Sequence, residues 1–237
     1  MKSPNPTIYP NNTLRVHYDV SGYNATDHGA TLFDISGHNR HATIYGSPEF
    51  DGKSFVFDGS STKKIALSNL GNSAGDWPHT VAWWQYLEPV STNSSSEAFF
   101  IGTAASTRKV IAYSNRVKTY DKIQWSYYFY GHDFRDFTDT TADDTGVWMH
   151  VALVYDSNTN MRYKYVNGVL RLSGHGSAGS SVDNNIDANS PMFIAHDGIR
   201  NEGYFNGRIG EFVVYDTPLT EAEVIDVYNR KKNIYMS

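Results

Sequence analysis

The sequence predicts an all-β chain, a two-sheet sandwich or barrel with one short C-terminal helix. Three observations carry this. Seventeen Tyr, 12 Phe and 5 Trp stand beside Thr, Val and Ile, with 19 Gly to supply turns, a composition suited to pleated, half-buried surfaces. Short apolar or alternating segments recur at a spacing of roughly 8–12 residues, the interval of sandwich and barrel strands. Only the end of the chain reads as helix. Pro218 stops the preceding strand because it cannot donate to a ladder. Thr220 with Glu223 forms a capping box, and Leu219 with Val224 a hydrophobic staple.

In chain order, residues 1–13 carry Pro4, Pro6 and Pro10 and read as an extended arm, leaving 14–237 as one folded unit. Arg15 to Val20 alternates as a strand, Ser21 to Ala30 reads as a polar loop, and Leu32 to Thr43 as a turn-rich segment before a short strand at Ile44. Further strands are expected at Ser54–Phe57, Lys64–Leu67, Thr80–Tyr86, Ala98–Gly102, Lys109–Ser114 and Lys122–Tyr130. Gly131 to Gly146 reads as an acidic connection. Trp148–Asp156 and Tyr163–Val166 follow, and Asn167-Gly168 makes a two-residue hairpin into Val169–Leu172, since Asn and Gly accept positive φ. A small-residue loop leads to Met192–Ala195, and a turn at Asn206-Gly207 opens the last strand, Arg208–Tyr215.

Composition excludes several function classes. A chain of 237 residues is long enough to bury a substantial core, and all-β domains of this size are often single. The absence of Cys removes disulfides, thiolate metal sites and Cys nucleophiles. The net charge of −5 has no basic cluster beyond Arg230-Lys231-Lys232. Those cations sit where the negative end of a helix favours them, so nucleic acid is not expected as a partner. No apolar run approaches the ~20 residues that would span a bilayer, so membrane insertion is not expected either. Met1 to Pro6 lack the apolar core of a signal peptide, as in an intracellular or virion protein or an excised domain.

A series of short motifs then accumulates: Asp34-Ile35-Ser36-Gly37, Phe57-Asp58-Gly59, Thr80-Val81-Ala82-Trp83-Trp84, Trp148 to Asp156, Tyr165-Val166-Asn167-Gly168, and Phe205 to Val224. Their order and spacing resemble the laminin-G-like jelly rolls of the concanavalin A-like lectin and glucanase superfamily, over residues 14 to 230. The resemblance implies two antiparallel sheets packed face to face, one of them concave, and an extracellular-surface or virion setting. It also implies a carbohydrate-binding or adhesion module. A structural or assembly protein of a virion or cell surface is the alternative, and a glycosidase or polysaccharide lyase the third reading.

The enzyme reading lacks its residues. Glycosidases need two carboxyl groups facing across the scissile bond, and relatives carry a Glu-x-Asp-x-x-Glu run that is absent here. The expected cleft strands at Trp83–Tyr86, Ala98–Gly102, Lys109–Ser114 and Ile123–Tyr130 contain no Asp or Glu. The dense segment Gly131 to Asp139 reads as a solvated loop rather than an acid–base pair, since acid clusters are common on loops. Glu211 alternates with Phe212 and Val214 and is expected to face solvent.

The resemblance also implies a structural calcium at the sandwich rim, held by carbonyls near Asp-x-Ser-Gly and an Asp on the final strand. Aligned on Tyr215, that Asp falls at Gly210, which has no side chain. Asp34 is the remaining candidate metal ligand, with turn capping as the competing role; no cofactor is required. His38 and His41 read as polar loop residues. For a glycan or polysaccharide partner, Ile123 to Tyr130 is the richest strand. Its alternation puts Ile123, Trp125, Tyr127 and Phe129 on the core face, and Gln124, Ser126, Tyr128 and Tyr130 on the other. By resemblance Trp84 is the core tryptophan, leaving Trp83 for the cleft. The candidate carbohydrate-binding residues are therefore Trp83, Gln124, Tyr128 and Tyr130. Virion or cell-surface proteins are the alternative partners, because paired Tyr faces also make protein contacts.

Overall fold

The structure is a computed structural model that describes residues 13–89, 95–103, 109–118, 122–129, 134–139, 145–175, 184–199 and 203–237. Its strands are β1 (Leu14–Tyr18), β2 (Thr31–Leu32), β3 (Ala42–Tyr45), β4 (Glu49–Phe50), β5 (Phe55–Asp58), β6 (Lys64–Leu67), β7 (His79–Leu87) and β8 (Ser95–Gly102). The second half contributes β9 (Val110–Lys118), β10 (Lys122–Tyr128), β11 (Phe134–Asp139), β12 (Trp148–Asp156), β13 (Met161–Val166), β14 (Val169–Gly174), β15 (Met192–Ile194) and β16 (Asn206–Tyr215). Two helices, α1 (Ala25–His28) and α2 (Glu221–Tyr235), complete the elements used below.

The strands form two eight-stranded antiparallel sheets, a jelly-roll sandwich. Sheet A runs β14-β13-β12-β7-β16-β5-β4, with β1 also paired to β16; sheet B runs β11-β10-β9-β8-β15-β6-β3-β2. The core lies between them, where Trp83, Phe212 and Tyr155 of sheet A meet Phe99, Tyr113, Trp125 and Tyr127 of sheet B. The outer face of sheet A is covered by α2: Val224 and Val227 pack on Ala82, Ala152 and Val213, and Tyr228 and Tyr235 on Trp84.

The helix starts as expected. The Thr220 hydroxyl accepts from the Glu223 amide at 3.4 Å, and the Glu223 carboxylate accepts from the Thr220 amide at 2.8 Å, so two otherwise orphaned donors are satisfied. Leu219 and Val224 are buried in one cluster. The Asn167-Gly168 hairpin has φ of 52° and 77° at its two central residues, the conformation a two-residue hairpin demands.

Four local expectations are corrected. Residues 21–30 are not all loop: α1 forms there, its first turn capped by the Asn24 side chain accepting from the Thr26 amide. Asn206-Gly207 is not a turn but the start of β16. A Cβ on Gly207 would overlap the Tyr86 carbonyl, so the glycine serves close strand approach. The segment read as an acidic connection contains β11, an edge strand paired with β10 from Phe134↔Tyr127 to Asp139↔Lys122; charged side chains suit an edge. Finally, Glu211 is 1% exposed, with Oε1 2.9 Å from His17 Nε2. The register of β16 on β7 shifts between Ile209 and Phe212, so both residues face the core although three apart. The extra residue turns Glu211 toward β1. Among the described residues no helix is long and apolar enough to cross a membrane. The expected arm at 1–13 falls almost wholly outside the described residues.

Candidate functional site

The outer face of sheet B has, among the described residues, no helix packed on it in the way α2 packs on sheet A. A separate apolar cluster marks it: Phe100, Val110 and Ala112, with Tyr128 and Phe193 partly buried against them. Pairing registers place Tyr128 opposite Ala112, Ala112 opposite Phe100, Phe100 opposite Phe193, and Phe193 opposite Ala66. These residues form one lateral row across β10, β9, β8, β15 and β6. Tyr128 and Phe193 are half-buried, each presenting part of a ring.

A polar row runs beside it. Arg135 is opposite Ser126, Ser126 opposite Ser114, and Ser114 opposite Glu97. Arg135 is exposed and Ser114 half-buried, while Ser126 and Glu97 are 6% and 4% exposed. The connection between β15 and β16 passes over Glu97: its amide donates to the Gly203 carbonyl at 2.7 Å, and a Cβ on Gly203 would overlap the Glu97 side chain. Gly198 of the same connection lies against the Phe193 ring, where any side chain would collide. Lys64 Nζ stands 5.9 Å from the Phe193 ring centroid and 5.8 Å from that of Tyr45, within cation–π range.

Glu97 is the residue that sequence reasoning missed. The strand was expected to begin at Ala98, and its cleft face to lack acids; β8 begins at Ser95. The register on β9 also shifts between Glu97 and Phe99. That extra residue brings Glu97 onto the same face as Phe100, which strict alternation forbids. The acid-free floor is thereby corrected. A single carboxylate still falls short of the pair that glycoside hydrolysis needs.

The expected site residues separate. Tyr128 lies on the open face as expected. Gln124 occupies β10 opposite Arg116 and Phe137, and Tyr130 lies outside the described residues. Trp83 is corrected: it is 1% exposed, between the sheets, with its ring centroid 5.0 Å from Tyr113 and 5.3 Å from Phe99. Its indole N–H donates to Gln85 Oε1 at 2.8 Å. Trp84 points the other way and is equally buried, stacked on Tyr235 at 4.9 Å and Tyr228 at 5.6 Å. With α2 over one face of β7 and sheet B over the other, neither tryptophan reaches a ligand.

The rim calcium implied by the resemblance does not fit these residues. Asp34 is buried, and its Oδ1 accepts from the amides of His17 and Ser36, both at 2.9 Å. Its Oδ2 accepts from the Ser36 hydroxyl at 2.8 Å and the Arg40 amide at 3.0 Å. Four donors converge on one carboxylate, which is the environment of a turn cap and not of a cation. At Gly210 a Cβ would fall on the Tyr235 ring. Tyr235 occupies that space and binds backbone through its hydroxyl, accepting from the Glu211 amide at 2.8 Å and donating to the Lys53 carbonyl at 3.1 Å. Among the described residues no group of three or more His, Cys, Asp or Glu is placed to hold a metal.

With this geometry in hand, the known proteins can be compared. The Laminin_G_3 family model, described as concanavalin A-like lectin/glucanases superfamily, matches residues 57–225. No curated protein matches the sequence. Among solved structures, the binding domain of Paraclostridial Mosquitocidal Protein 1 superposes with a TM-score of 0.67 at 16% identity, covering 94% of this chain and 53% of that one. The receptor binding domain of botulinum neurotoxin D gives 0.68 at 16%, covering 93% and 53%. Domain 4 of AbnA, a GH43 extracellular arabinanase from Geobacillus stearothermophilus solved with arabinotriose, gives 0.59 at 21%, covering 91% and 98%. This chain thus spans about half the length of the toxin binding domains and nearly all of the arabinanase domain. At these identities the likeness is one of fold.

Proposed function

The chain belongs to the Laminin_G_3 family of the concanavalin A-like lectin/glucanases superfamily, and on that premise we propose that it is a non-catalytic binding module taking a glycan on the outer face of sheet B. The observation that carries this reading is the pair of adjacent rows. Half-buried Tyr128 and Phe193 offer apolar ring surface on either side of the buried Phe100. Exposed Arg135 and half-buried Ser114 bring polar groups from the adjacent row, in line with the buried Ser126 and Glu97. Sugars present the same two-sided chemistry, an apolar ring face and a rim of hydroxyls, so the arrangement suits them. Two kinds of neighbour support the coarser statement of a binding module: toxin domains described as binding or receptor-binding, and an arabinanase domain solved with arabinotriose. The arabinanase domain supports the finer one, since it is matched over almost its whole length. A catalytic role has less support, because Glu97 is one carboxylate where two are needed.

Affinity electrophoresis in polysaccharide gels together with a glycan array tests the reading. Retention by at least one glycan is expected, arabinan among the panel, with a loss of about tenfold or more in Tyr128→Ala and no change in melting temperature. A wild-type protein that no glycan retains, but that captures a protein receptor, would replace this reading with a protein-adhesion role.

A further inference from the structure

A second concavity lies at the opposite edge of sheet B from Tyr128, at the rim around β3 and β6. It has a volume of about 350 Å³ and is lined by Asn39, Arg40, His41, Ser68, Asn69 and Asn189, floored by Leu67 with Gly71 beside it. The volume is at the small end of ligand pockets, which run from about 300 to 1,000 Å³. Among the described residues no carboxylate lines it. Its polar groups are three side-chain amides, a hydroxyl, an imidazole and a guanidinium, a set rich in donors.

The guanidinium is held in place. Arg40 Nη1 donates to the Arg15 carbonyl at 3.0 Å. Gly71, at φ +74°, lies so close to the guanidinium that a Cβ there would overlap it. Among the described residues Arg40 makes no other side-chain hydrogen bond and no ion pair, so the rest of its planar donor fork is unspent. The imidazole is set as well. The Asp34 amide donates to His41 Nδ1 at 3.0 Å, which puts the ring proton on Nε2 and leaves it as the ring's remaining donor. The Phe33 ring meets His41 edge-on at 4.8 Å and is 40% exposed, giving the pocket an apolar neighbour.

We propose that this pocket binds a carboxylate-bearing sugar, a uronic acid, with Arg40 taking the carboxylate and Asn39, Asn69, Asn189 and His41 Nε2–H reading the hydroxyls. A fixed guanidinium with unspent donors selects a planar anion, because Arg presents two parallel N–H groups in carboxylate geometry. The absence of any lining acid removes the repulsion that such a ligand would meet. The surrounding amides supply both donors and acceptors, which hydroxyls need and a simple anion does not. The site lies at the edge of sheet B farthest from Tyr128 on β10, and does not depend on the reading given to the Tyr128 row.

Calorimetric titration of the full chain with sodium galacturonate, galactose, acetate and a galacturonate oligomer tests the proposal. Galacturonate is expected to bind about tenfold tighter than galactose at low salt, and Arg40→Gln to erase that difference. Asn189 has φ +56°, so Asn189→Gly keeps the backbone while removing the amide, and it should weaken both sugars. Should Arg40→Gln fail to fold, Ser68→Tyr fills the pocket from an exposed position and must abolish galacturonate binding at an unchanged melting temperature. Tyr128→Ala must leave all of these values alone. An oligomer bound as well as the monomer points to a chain end, and a monomer bound alone to a free acid sugar; either supports the site. Equal binding of galacturonate and galactose overturns it. So does acetate binding as tightly as galacturonate, or Ser68→Tyr retaining full affinity.

Discussion

Each sheet of the sandwich has an outer face, and the chain treats the two faces in opposite ways. Over sheet A, α2 lays Val224, Val227, Tyr228 and Tyr235 on Ala82, Val213 and Trp84, and the face becomes a second core. Over sheet B, Tyr128 and Phe193 stay half-buried at the two sides of the buried Phe100, and among the described residues the connection from β15 to β16 crosses part of the row. Both faces carry aromatics on alternating strand positions, so aromatic content does not distinguish a site from a core. What distinguishes them is whether the chain supplies its own cover. Trp84, with the largest ring, is lost to binding because the chain covers it, and Tyr128, with a smaller one, stays half-buried.

The largest break in this comparison comes from uncovering sheet A. Tyr235→Ala removes a ring stacked on Trp84 and two backbone hydrogen bonds, and leaves a hole over Gly210. A loss of about 3–5 kcal/mol is expected in urea unfolding, the usual cost of truncating a buried aromatic. A loss under about 1 kcal/mol would mean that α2 is not the seal described here.

Acid should act on the buried side more than on the open one. His150 lies beneath α2 between Trp84 and Tyr228, and burial pushes its pKa from 6.5 down to about 3. His79, in the core against Trp77, is also pushed by burial down to about 3. Below pH 6.5 the unfolded chain takes up these protons and the folded one does not until about pH 3. Stability is therefore full above pH 6.5 and falls as pH drops toward 3, by about 1.4 kcal/mol per pH unit for each histidine. His150→Phe keeps a ring in place and should flatten the slope by one proton's worth between pH 6 and 4 or so. An unchanged slope would show that His150 is protonated in the folded state.

On the open side, Tyr128→Ala is expected to weaken glycan binding about tenfold, or about 1.4 kcal/mol, with stability nearly unchanged because the ring is only half-buried. If the same substitution costs more in unfolding than in binding, Tyr128 is a core residue and the contrast between the faces fails.

The sequence showed much of this arrangement, and its omissions share a cause. Alternation alone puts Trp125, Tyr127 and Phe129 inward and Tyr128 outward, as found, because β10 pairs without a slip. The cap, staple and proline stop around α2 are local chemistry and were legible for that reason. Glu97 and Glu211 were misread because each lies where a strand register shifts. One extra residue inverts every later inference from a period of two. The shift at Glu97 has no proline or glycine to announce it, whereas Gly210, inside the shift at Glu211, is the local signal that a bulge was there to be read. Trp83 and Trp84 were a different case. Their opposite directions were clear, but which side would stay open depended on a helix more than 130 residues later in the chain. The pocket at Arg40 combines side chains from three separated segments, a juxtaposition that no local motif encodes.

The smallest expected effect tests whether the two faces are independent. Thr220→Ala removes the acceptor for the Glu223 amide and loosens the reciprocal bond, at a cost of about 1 kcal/mol. The first turn of α2 should then fray, exposing Leu219 and Val224 at the edge of the covered face. Amide exchange at the start of the helix is expected to speed up several-fold, while exchange in β8, β9 and β10 and glycan affinity stay as they were. The reason is geometric: the whole core, from Trp83 to Tyr127, stands between that turn and the Tyr128 row. A fall in glycan affinity matching the loss in helix protection would show that the core transmits the change, and that the open face depends on how well the other is sealed.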